Sequence, residues 1–217
     1  MTPLVGLIDY GMGNLHSVQE AFKRLNSPLK LVKDSSEISN CEALILPGVG
    51  SFDPAMSNLH ETGLVPVIKD WAIEGRPLLG ICLGLQLLFE YSDEGTSKGL
   101  SLFKGAVHRL PDDVGERIPH MGWTPLKYQN KNPLLDKSDD SDWMYFVHSY
   151  AAYPKEEIDI AATVNFGPSN VTAIVWNGRL GACQFHPEKS SLSGQKMLSR
   201  WIDWLNSGAE PPIADER

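Results

Sequence analysis

The chain has 217 residues, of which 42% are hydrophobic and 21% are charged, and its formal net charge is −8. This length suits one sizeable core, so we expect a single domain over residues 1–208 and a polar, proline-broken tail over residues 209–217. The acidic balance argues against nucleic acid or an anionic membrane as partner, because both require a positive face. A small molecule or another protein remains.

Cysteine usage and hydropathy indicate the compartment. The amino terminus has no basic stretch followed by an apolar run, and no segment reaches about 18 unbroken apolar residues, so we expect a cytoplasmic protein without a membrane span. Cys41, Cys82 and Cys183 are an odd set without clustered spacing. They fit reduced thiols better than a disulfide framework, so at least one thiol is free for chemistry.

Short apolar runs alternate with longer amphipathic stretches through the first half of the chain. This pattern predicts strands at residues 4–8, 43–46 and 78–81 and helices at residues 15–25, 52–59, 65–74 and 83–91. Alternation of this kind is typical of a parallel sheet whose strands are joined by helices.

Beyond Gly95 the pattern changes to short strands, which we expect to form an antiparallel extension. They are predicted at residues 143–150, 160–165, 171–176 and 180–185, and a final helix is predicted at residues 193–206 with Ser193 as its N-cap. The predicted fold class is therefore α/β, with a central, mostly parallel sheet flanked by helices and an antiparallel extension.

Cys82 lies between an apolar run and a helical stretch, with Gly80 and Gly84 two residues away on either side. This layout is typical of a nucleophile elbow, in which a strained turn presents the nucleophile and the glycines let strand and helix approach closely. The amino end of the helix favours a thiolate, and the Leu83 amide can stabilise an oxyanion. The alternative is that Cys82 is one more small residue of a leucine-rich core.

His186 has a carboxylate close by in sequence, in His186-Pro187-Glu188. Side chains two residues apart in an extended segment point the same way, so Glu188 can accept the ring N–H of His186 and stabilise its imidazolium form. The alternative is a surface His-Pro-Glu turn. Together with the elbow at Cys82, the pair predicts a catalytic triad of Cys82, His186 and Glu188.

A zinc site is a competing interpretation, because Cys183 and His186 have the spacing of one ligand pair and Cys82 could add a third ligand. A closed zinc site generally has a second compact ligand pair, and none is found near Cys41 or Cys82. We therefore predict no metal, and interpret Cys41 and Cys183 as buried structural thiols. The sequence has no nucleotide-binding loop either, so we predict no cofactor.

The elbow at Cys82, the later His186-Pro187-Glu188 and the turn at residues 47–50 (PGVG) resemble, in this order, the class I glutamine amidotransferases over nearly the whole chain. Four further segments are similar to the glutaminase subunits of imidazole glycerol phosphate synthases, which act in histidine biosynthesis. These segments are residues 9–14 (DYGMGN), 120–123 (HMGW), 145–150 (YFVHSY) and 186–190 (HPEKS). One departure is Thr124, where the family usually has asparagine.

The resemblance implies a glutaminase reaction. Cys82 would attack the side-chain amide of glutamine, with His186 transferring protons, and water would hydrolyse the resulting γ-glutamyl thioester. The oxyanion would be held by the amide of Leu83 and one from Val49-Gly50, where a peptide flip would switch the hole on or off.

The resemblance also implies how glutamine is bound. It assigns the pocket to Gln86 and Glu94 together with backbone groups of His148, Ser149 and Tyr150. Two alternatives stay open: Gln86 could merely decorate the helix after the elbow, and Glu94 could belong to a solvated acidic turn.

Free ammonia would escape into water, so a partner that covers the site makes chemical sense. The family's partner is a cyclase subunit with a (β/α)₈ barrel, which together with the glutaminase forms a heterodimer. By the same resemblance, Asn14, Met121, Trp123 and Lys189 would face that partner. Trp123 could instead lie in the core, as large aromatic residues usually do.

Three rival functions remain at this level. The chain could be the glutaminase of another amidotransferase, a standalone γ-glutamyl hydrolase, or a noncatalytic regulatory module that kept the fold. The segments at residues 9–14 and 120–123 and Lys189 argue against the first rival, and the complete set of Cys82, His186 and Glu188 argues against the last.

Overall fold

A computed structural model describes residues 3–113, 115–139 and 142–212. Five α-helices are found within these residues: α1 (Leu15–Arg24), α2 (Phe52–Glu61), α3 (Leu64–Ile73), α4 (Leu83–Leu87) and α5 (Ser191–Asn206). Short 3₁₀ turns occur at Ser35–Glu37, Lys137–Asp139, Glu157–Asp159 and Pro187–Lys189. The strands are β1 (Val5–Ile8), β2 (Lys30–Val32), β3 (Ala43–Leu46), β4 (Leu78–Ile81), β5 (Tyr91–Ser92), β6 (Gly105–Arg109), β7 (His120–Pro125), β8 (Lys127–Tyr128), β9 (Trp143–His148), β10 (Tyr150–Pro154), β11 (Ile160–Phe166), β12 (Ser169–Asn177) and β13 (Leu180–Cys183).

An eight-stranded sheet forms the centre of the fold, in the order β2-β1-β3-β4-β13-β12-β11-β8. The strands from β2 to β13 in that order pair in parallel, and β12, β11 and β8 continue the sheet with antiparallel pairing. Two smaller sheets, β10-β6-β5 and β7-β9, lie outside it. The predicted α/β class, the mostly parallel sheet and its antiparallel extension are confirmed.

Helices cover the central sheet on both faces, which explains why its inner strands are apolar throughout. Every residue of β1, β3 and β4 is buried, as expected for parallel strands covered on two sides. On one face Phe22 of α1 packs edge-on against Trp201 of α5, with ring centroids 6.0 Å apart. Phe52 of α2 and Trp71 of α3 belong to a second hydrophobic cluster that includes α4.

The predicted helix at residues 83–91 is too long, because α4 ends at Leu87. A returning segment takes over the carbonyls at its end: the amide of Leu100 donates to Leu87 at 2.8 Å, and that of Leu102 donates to Leu88 at 2.8 Å. Hydrogen bonds from a distant part of the chain thus replace the next helical turn.

The predicted strand at residues 143–150 is two strands that belong to different sheets. β9 pairs with β7 and ends at His148, whereas β10 begins at Tyr150 and pairs with β6. Ser149 lies at the change of sheet, and its carbonyl accepts a hydrogen bond from the amide of Leu110 at 2.9 Å. This crossing point lies at the candidate site described below.

The predicted N-cap Ser193 is wrong. The helix begins at Ser191, with Ser190 at the N-cap, and Ser193 lies inside its first turn. The helix follows directly on the 3₁₀ turn Pro187–Lys189, and Gly194 packs so closely on that turn that an added Cβ would overlap the carbonyl of Pro187. Predicted strand 180–185 likewise ends earlier, at Cys183.

The proposed tail over residues 209–217 is described only to residue 212. Its first residue packs on the domain: Ala209 is buried, and its carbonyl accepts a hydrogen bond from Nε of Arg179 at 2.6 Å. Residues 213–217 lie outside the described residues. Among the helices of the described ranges, none is long and apolar enough to cross a membrane.

Candidate active site

Cys82 occupies the single residue between β4 and α4. Its backbone has φ 55° and ψ −110°, in a region that residues other than glycine rarely adopt. The amide of Cys82 donates to the carbonyl of Cys183 on the neighbouring strand at 2.8 Å, which holds this strained turn in place. The nucleophile-elbow geometry predicted for Cys82 is therefore present.

Two glycines make the tight turn at Cys82 sterically feasible. An added Cβ at Gly84 would overlap the carbonyl oxygen of Leu46, and one at Gly80 would lie 3.0 Å from the carbonyl oxygen of Gly84. Backbone therefore touches backbone on both sides of the nucleophile. The prediction that these glycines allow strand and helix to approach closely is confirmed.

His186 and Glu188 form a buried pair. Nδ1 of His186 lies 2.8 Å from Oε1 of Glu188, and their side chains are 3% and 1% exposed. His186 has extended backbone, whereas Glu188 lies in the 3₁₀ turn that follows it. The predicted contact is confirmed, and the alternative of a surface turn is wrong.

The proton affinity of His186 follows from its neighbours. Burial by itself lowers the pKa of His186, but the hydrogen bonds to Cys82 and Glu188 and the charges of both groups outweigh it and raise the pKa to about 10. The imidazolium form is thus favoured when the sulfur carries negative charge. This is the arrangement that a cysteine nucleophile needs.

A cavity of about 380 Å³ opens next to Cys82. It is lined by every residue predicted for the oxyanion hole and the glutamine pocket, together with Cys82 and His186. Glu188 contacts His186 but does not line the cavity. Its lining residues are Val49, Gly50, Cys82, Leu83, Gln86, Glu94, Pro119, Val147, His148, Ser149, Tyr150 and His186. Pro119 and Val147 were not predicted, because neither carries a polar group that chemistry would require.

The turn at residues 47–50 lies against the elbow. The amide of Leu83 donates to the carbonyl of Gly48 at 3.3 Å, and the hydroxyl of Tyr10 donates to the carbonyl of Pro47 at 2.8 Å. Gly50 follows with φ +100°. The amide predicted to stabilise an oxyanion therefore already has an acceptor in this conformation.

Gln86 is buried rather than exposed on the helix. Its Nε2 donates to the carbonyl of Tyr150 at 3.0 Å and to Oε1 of Gln184 at 3.2 Å. Gln184 is fully buried, and its own Nε2 lies 3.9 Å from Sγ of Cys82. The alternative of a decorative Gln86 is wrong, and Gln184 is a site residue that the sequence analysis missed.

Glu94 and Asp93 have different surroundings although they are adjacent. Oε2 of Glu94 accepts a hydrogen bond from the amide of Phe52, the first residue of α2, at 2.9 Å. Asp93 is about half exposed and lies 2.8 Å from Nδ1 of His108. Asp93 is therefore a solvated acidic residue, as the alternative expected, whereas Glu94 lines the cavity.

The residues predicted to face a partner lie in two kinds of place. Met121 and Trp123 are 62% and 46% exposed on β7, so a core position for Trp123 is wrong. Lys189 is exposed on the 3₁₀ turn after His186. Asn14 caps α1, and its side chain accepts a hydrogen bond from the amide of Ser17, which is a structural role of its own.

The zinc interpretation finds no support in the arrangement of the side chains. Across the described ranges, no group of three or more His, Cys, Asp or Glu residues is placed to hold a metal ion. Cys183 is fully buried, and burial raises the pKa of its thiol well above the usual value. Cys41 is buried as well, so both fit the structural role predicted for them.

Comparison with known proteins decides the family. The class I glutamine amidotransferase family matches residues 6–204. Subunit HisH 2 of imidazole glycerol phosphate synthase from Prochlorococcus marinus (strain MIT 9313) is 63% identical over 211 residues, which cover 97% of this chain and 99% of the relative. The chain belongs to the class I glutamine amidotransferases and to their HisH family.

Further relatives give the same answer. The HisH subunit of imidazole glycerol phosphate synthase from Synechococcus sp. (strain CC9605) is 60% identical over 207 residues, which cover 95% of this chain and 97% of that relative. Solved structures of low sequence identity share the fold. A crystal structure of a glutamine amidotransferase superposes with a TM-score of 0.73 at 23% identity, covering 94% of this chain and 99% of that one. PurLQS from Thermotoga maritima superposes with a TM-score of 0.73 at 20% identity, covering 94% of this chain and all of the other.

Proposed function

We propose that the chain is the glutaminase subunit of imidazole glycerol phosphate synthase, which hydrolyses glutamine and passes the ammonia to a cyclase subunit. The observation that carries this proposal is the shared cavity, in which Cys82 on its strained turn meets His186 backed by Glu188. The names of the relatives indicate the synthase.

The first half of the reaction forms a thioester. The sulfur of Cys82 attacks the side-chain carbonyl carbon of glutamine after His186 has taken the thiol proton. The tetrahedral intermediate then breaks its carbon–nitrogen bond, and the imidazolium of His186 gives its proton to the leaving nitrogen. Ammonia leaves, and a γ-glutamyl thioester stays on Cys82.

The second half restores the enzyme. Neutral His186 takes a proton from water, the resulting oxygen attacks the thioester, and the carbon–sulfur bond breaks to release glutamate. Glu188 remains an anion that accepts the Nδ1–H of His186 and stabilises each imidazolium stage. The separation of 2.8 Å between the two groups supports this role.

An oxyanion hole is needed at both tetrahedral stages. We assign it to the amide of Leu83 and an amide of the turn at Val49 and Gly50. The bond from Leu83 to the Gly48 carbonyl occupies one donor, so the peptide between Gly48 and Val49 must turn before the hole is complete. The absence of a side chain at Gly48 eases such a turn, because this peptide rotates about ψ of Gly48 and φ of Val49.

The cavity also fits the ends of a free amino acid. Glutamine is a zwitterion, so its ammonium group needs an acceptor and its carboxylate needs donors. Glu94 at the cavity wall is the acceptor that we assign, and backbone amides near Ser149 are the donors. Gln86 lies between these groups and Cys82, where its amide braces the wall.

The partner surface lies beside the cavity. One face of the two-stranded β7–β9 sheet carries Met121, Trp123 and Trp143, of which the last is 53% exposed, and Val147, which pairs with Met121 on that face, lines the cavity. Aromatic residues on an exposed face are typical of an interface. We assign this face to the cyclase subunit, whose fold we expect to be a (β/α)₈ barrel, and we place Lys189 and Asn14 at the edge of the contact.

We further assign the protein to the cytoplasm. Amino-acid biosynthesis takes place there, and Cys41, Cys82 and Cys183 are all free thiols, as a reducing compartment maintains them.

Glutamate release from glutamine tests the proposal. The full chain is assayed alone and with the cyclase subunit plus its phosphoribosyl ligand, with Cys82→Ala as the blank. We expect release that is strongly stimulated by the liganded cyclase and is absent in the variant. Equal release without the cyclase would indicate a standalone hydrolase, and no release in either condition would indicate another synthase partner or a noncatalytic module.

A further inference from the structure

A row of polar side chains leads from the two-stranded β7–β9 sheet to the wall of the cavity. Oγ1 of Thr124 lies 2.8 Å from Nε2 of His120, and Nδ1 of His120 lies 3.1 Å from Nε2 of His148. Nδ1 of His148 lies 2.8 Å from the carbonyl of Tyr150. We call Thr124, His120 and His148 the histidine relay.

The direction of each hydrogen bond in the histidine relay follows from its last acceptor. The Tyr150 carbonyl can only accept, so Nδ1 of His148 carries a hydrogen. Burial lowers the pKa of His148 to about 3, so the ring is neutral and its Nε2 accepts from Nδ1 of His120. Burial also lowers the pKa of His120, and its Nε2 therefore accepts from the hydroxyl of Thr124. Both rings are then Nδ1–H tautomers.

The histidine relay ends at an atom that the cavity uses. The Tyr150 carbonyl that accepts from His148 also accepts from Nε2 of Gln86 at 3.0 Å. Gln86 in turn contacts Gln184, whose Nε2 lies 3.9 Å from Sγ of Cys82. A continuous set of hydrogen bonds and one amide–sulfur contact thus joins Thr124 to the nucleophile.

Aromatic rings hold the histidine relay in a fixed position. The ring of His120 stacks on Phe146 with centroids 5.0 Å apart and planes inclined by 20°, and Phe166 lies 5.4 Å away on another side. His120 and His148 are also directly paired across β7 and β9. With the rings confined in this way and their tautomers fixed from the Tyr150 carbonyl, Nε2 of His120 is an acceptor that the hydroxyl of Thr124 satisfies.

We propose that Thr124 and His120 are positioning residues for the glutaminase reaction, which hold His148 and thereby the Tyr150 carbonyl and Gln86 in the geometry that binds glutamine. The inference rests on the proposed function. A threonine hydroxyl supplies the donor, and an asparagine amide at this position could do the same. Valine, which has the same shape and also favours a strand, could not.

Kinetics of the full chain in complex with the cyclase subunit and its ligand test the role of Thr124. We expect Thr124→Val to raise the KM for glutamine by about 3- to 10-fold with a smaller change in kcat, as fits the loss of one hydrogen bond. Thr124→Ser keeps the hydroxyl, so it should restore KM to within about twofold of the wild type. A Thr124→Val enzyme with wild-type KM would overturn the inference, as would equal losses in both variants.

The ¹⁵N spectrum of the histidine rings provides a readout that a merely structural role would not move. In the wild type, His120 and His148 should both be neutral Nδ1–H tautomers, and Thr124→Val should shift the Nε2 resonance of His120, because Nε2 loses its hydrogen-bond donor. An Nε2–H tautomer or a charged ring at either position overturns the inference, even if Thr124→Val fails to fold. If neither the wild-type complex nor the Cys82→Ala complex releases glutamate, the proposed function itself is wrong.

Discussion

The backbone amide of Leu83 donates a hydrogen bond to the carbonyl oxygen of Gly48 at 3.3 Å, which occupies a donor that we assign to the oxyanion hole. A carbonyl in that place presents negative charge where the oxyanion must form. The thiol and its base are thus assembled while the stabilisation of the intermediate is not. Chemistry at Cys82 should therefore depend on whatever turns the peptide between Gly48 and Val49.

The first prediction concerns this peptide. The full chain without its partner should hydrolyse glutamine with a kcat about 10²- to 10³-fold below that of the liganded complex, which is the usual cost of one missing oxyanion donor. Steady-state glutamate release in both conditions measures the ratio. A ratio near one would show that the hole is already complete in the isolated chain.

The second prediction concerns the acid limb of catalysis. In the free enzyme, burial lowers the pKa of His186 but Cys82 and Glu188 together raise it to about 10, so its imidazolium form is present through neutral pH and is lost as the pH rises through that value. Glu188→Gln removes a charge that favours the imidazolium, so the alkaline limb of kcat/KM should move to lower pH and kcat should fall about 10²- to 10⁴-fold. An unchanged alkaline limb in Glu188→Gln would contradict the assignment.

The third prediction concerns Glu94. Glu94→Gln keeps an acceptor for the amide of Phe52 but removes the negative charge, so the KM for glutamine should rise about 10-fold or more while the melting temperature stays near that of the wild type. Asp93→Asn is the matched control, because Asp93 pairs with His108 at the surface. Similar KM increases in both variants would show a general effect of charge.

The fourth prediction concerns the partner surface. Trp123→Ala should weaken binding of the cyclase subunit by about 30-fold or more, which is typical of an aromatic residue at the centre of an interface. Ile73→Ala is the control, because Ile73 is 81% exposed on α3, away from the cavity at Cys82. Titration calorimetry with both variants gives the comparison, and equal affinities would place the interface elsewhere.

The fifth prediction concerns the elbow. Gly84→Ala puts a Cβ onto the carbonyl of Leu46, so the free energy of unfolding should fall by about 3 kcal/mol or more. Gly75→Ala has open space and carries only the cost of its positive φ, which is about 1 kcal/mol. Urea unfolding of both variants tests the difference, and equal losses would mean that the backbone contact at Gly84 relaxes easily.

The sequence predicted the inner sheet and the nucleophile because local signals there agree with the tertiary structure. Strands β3 and β4 have the bounds expected from their apolar runs, and the glycines around Cys82 report a close backbone contact. Short strands such as β5 and β8 carry too few residues for a periodic pattern. They form because neighbouring chain supplies hydrogen-bond partners, and sequence alone does not reveal which partners meet.

The polar wall of the cavity was harder to predict for the same reason. Gln86 could be placed near Cys82 because it lies one helical turn after it, but Gln184 follows the end of β13 and reaches Gln86 across a separation of 98 positions. In the sequence, His120 was noted only as part of the segment 120–123, and Thr124 only as a departure from the family pattern. Their role depends on the register of β7 with β9, which pairs His120 with His148.

The exposed face of the β7–β9 sheet affects the solubility of the isolated chain. Without its partner, the chain exposes an apolar strip formed by Met121, Trp123 and Trp143. Such a strip can associate with the same strip on another copy of the chain. Freshly made chains should therefore cluster as their concentration rises, and supplying the cyclase subunit during synthesis should keep them dispersed. Balanced expression of the two genes would then matter for the yield of intact protein as much as for the supply of nitrogen.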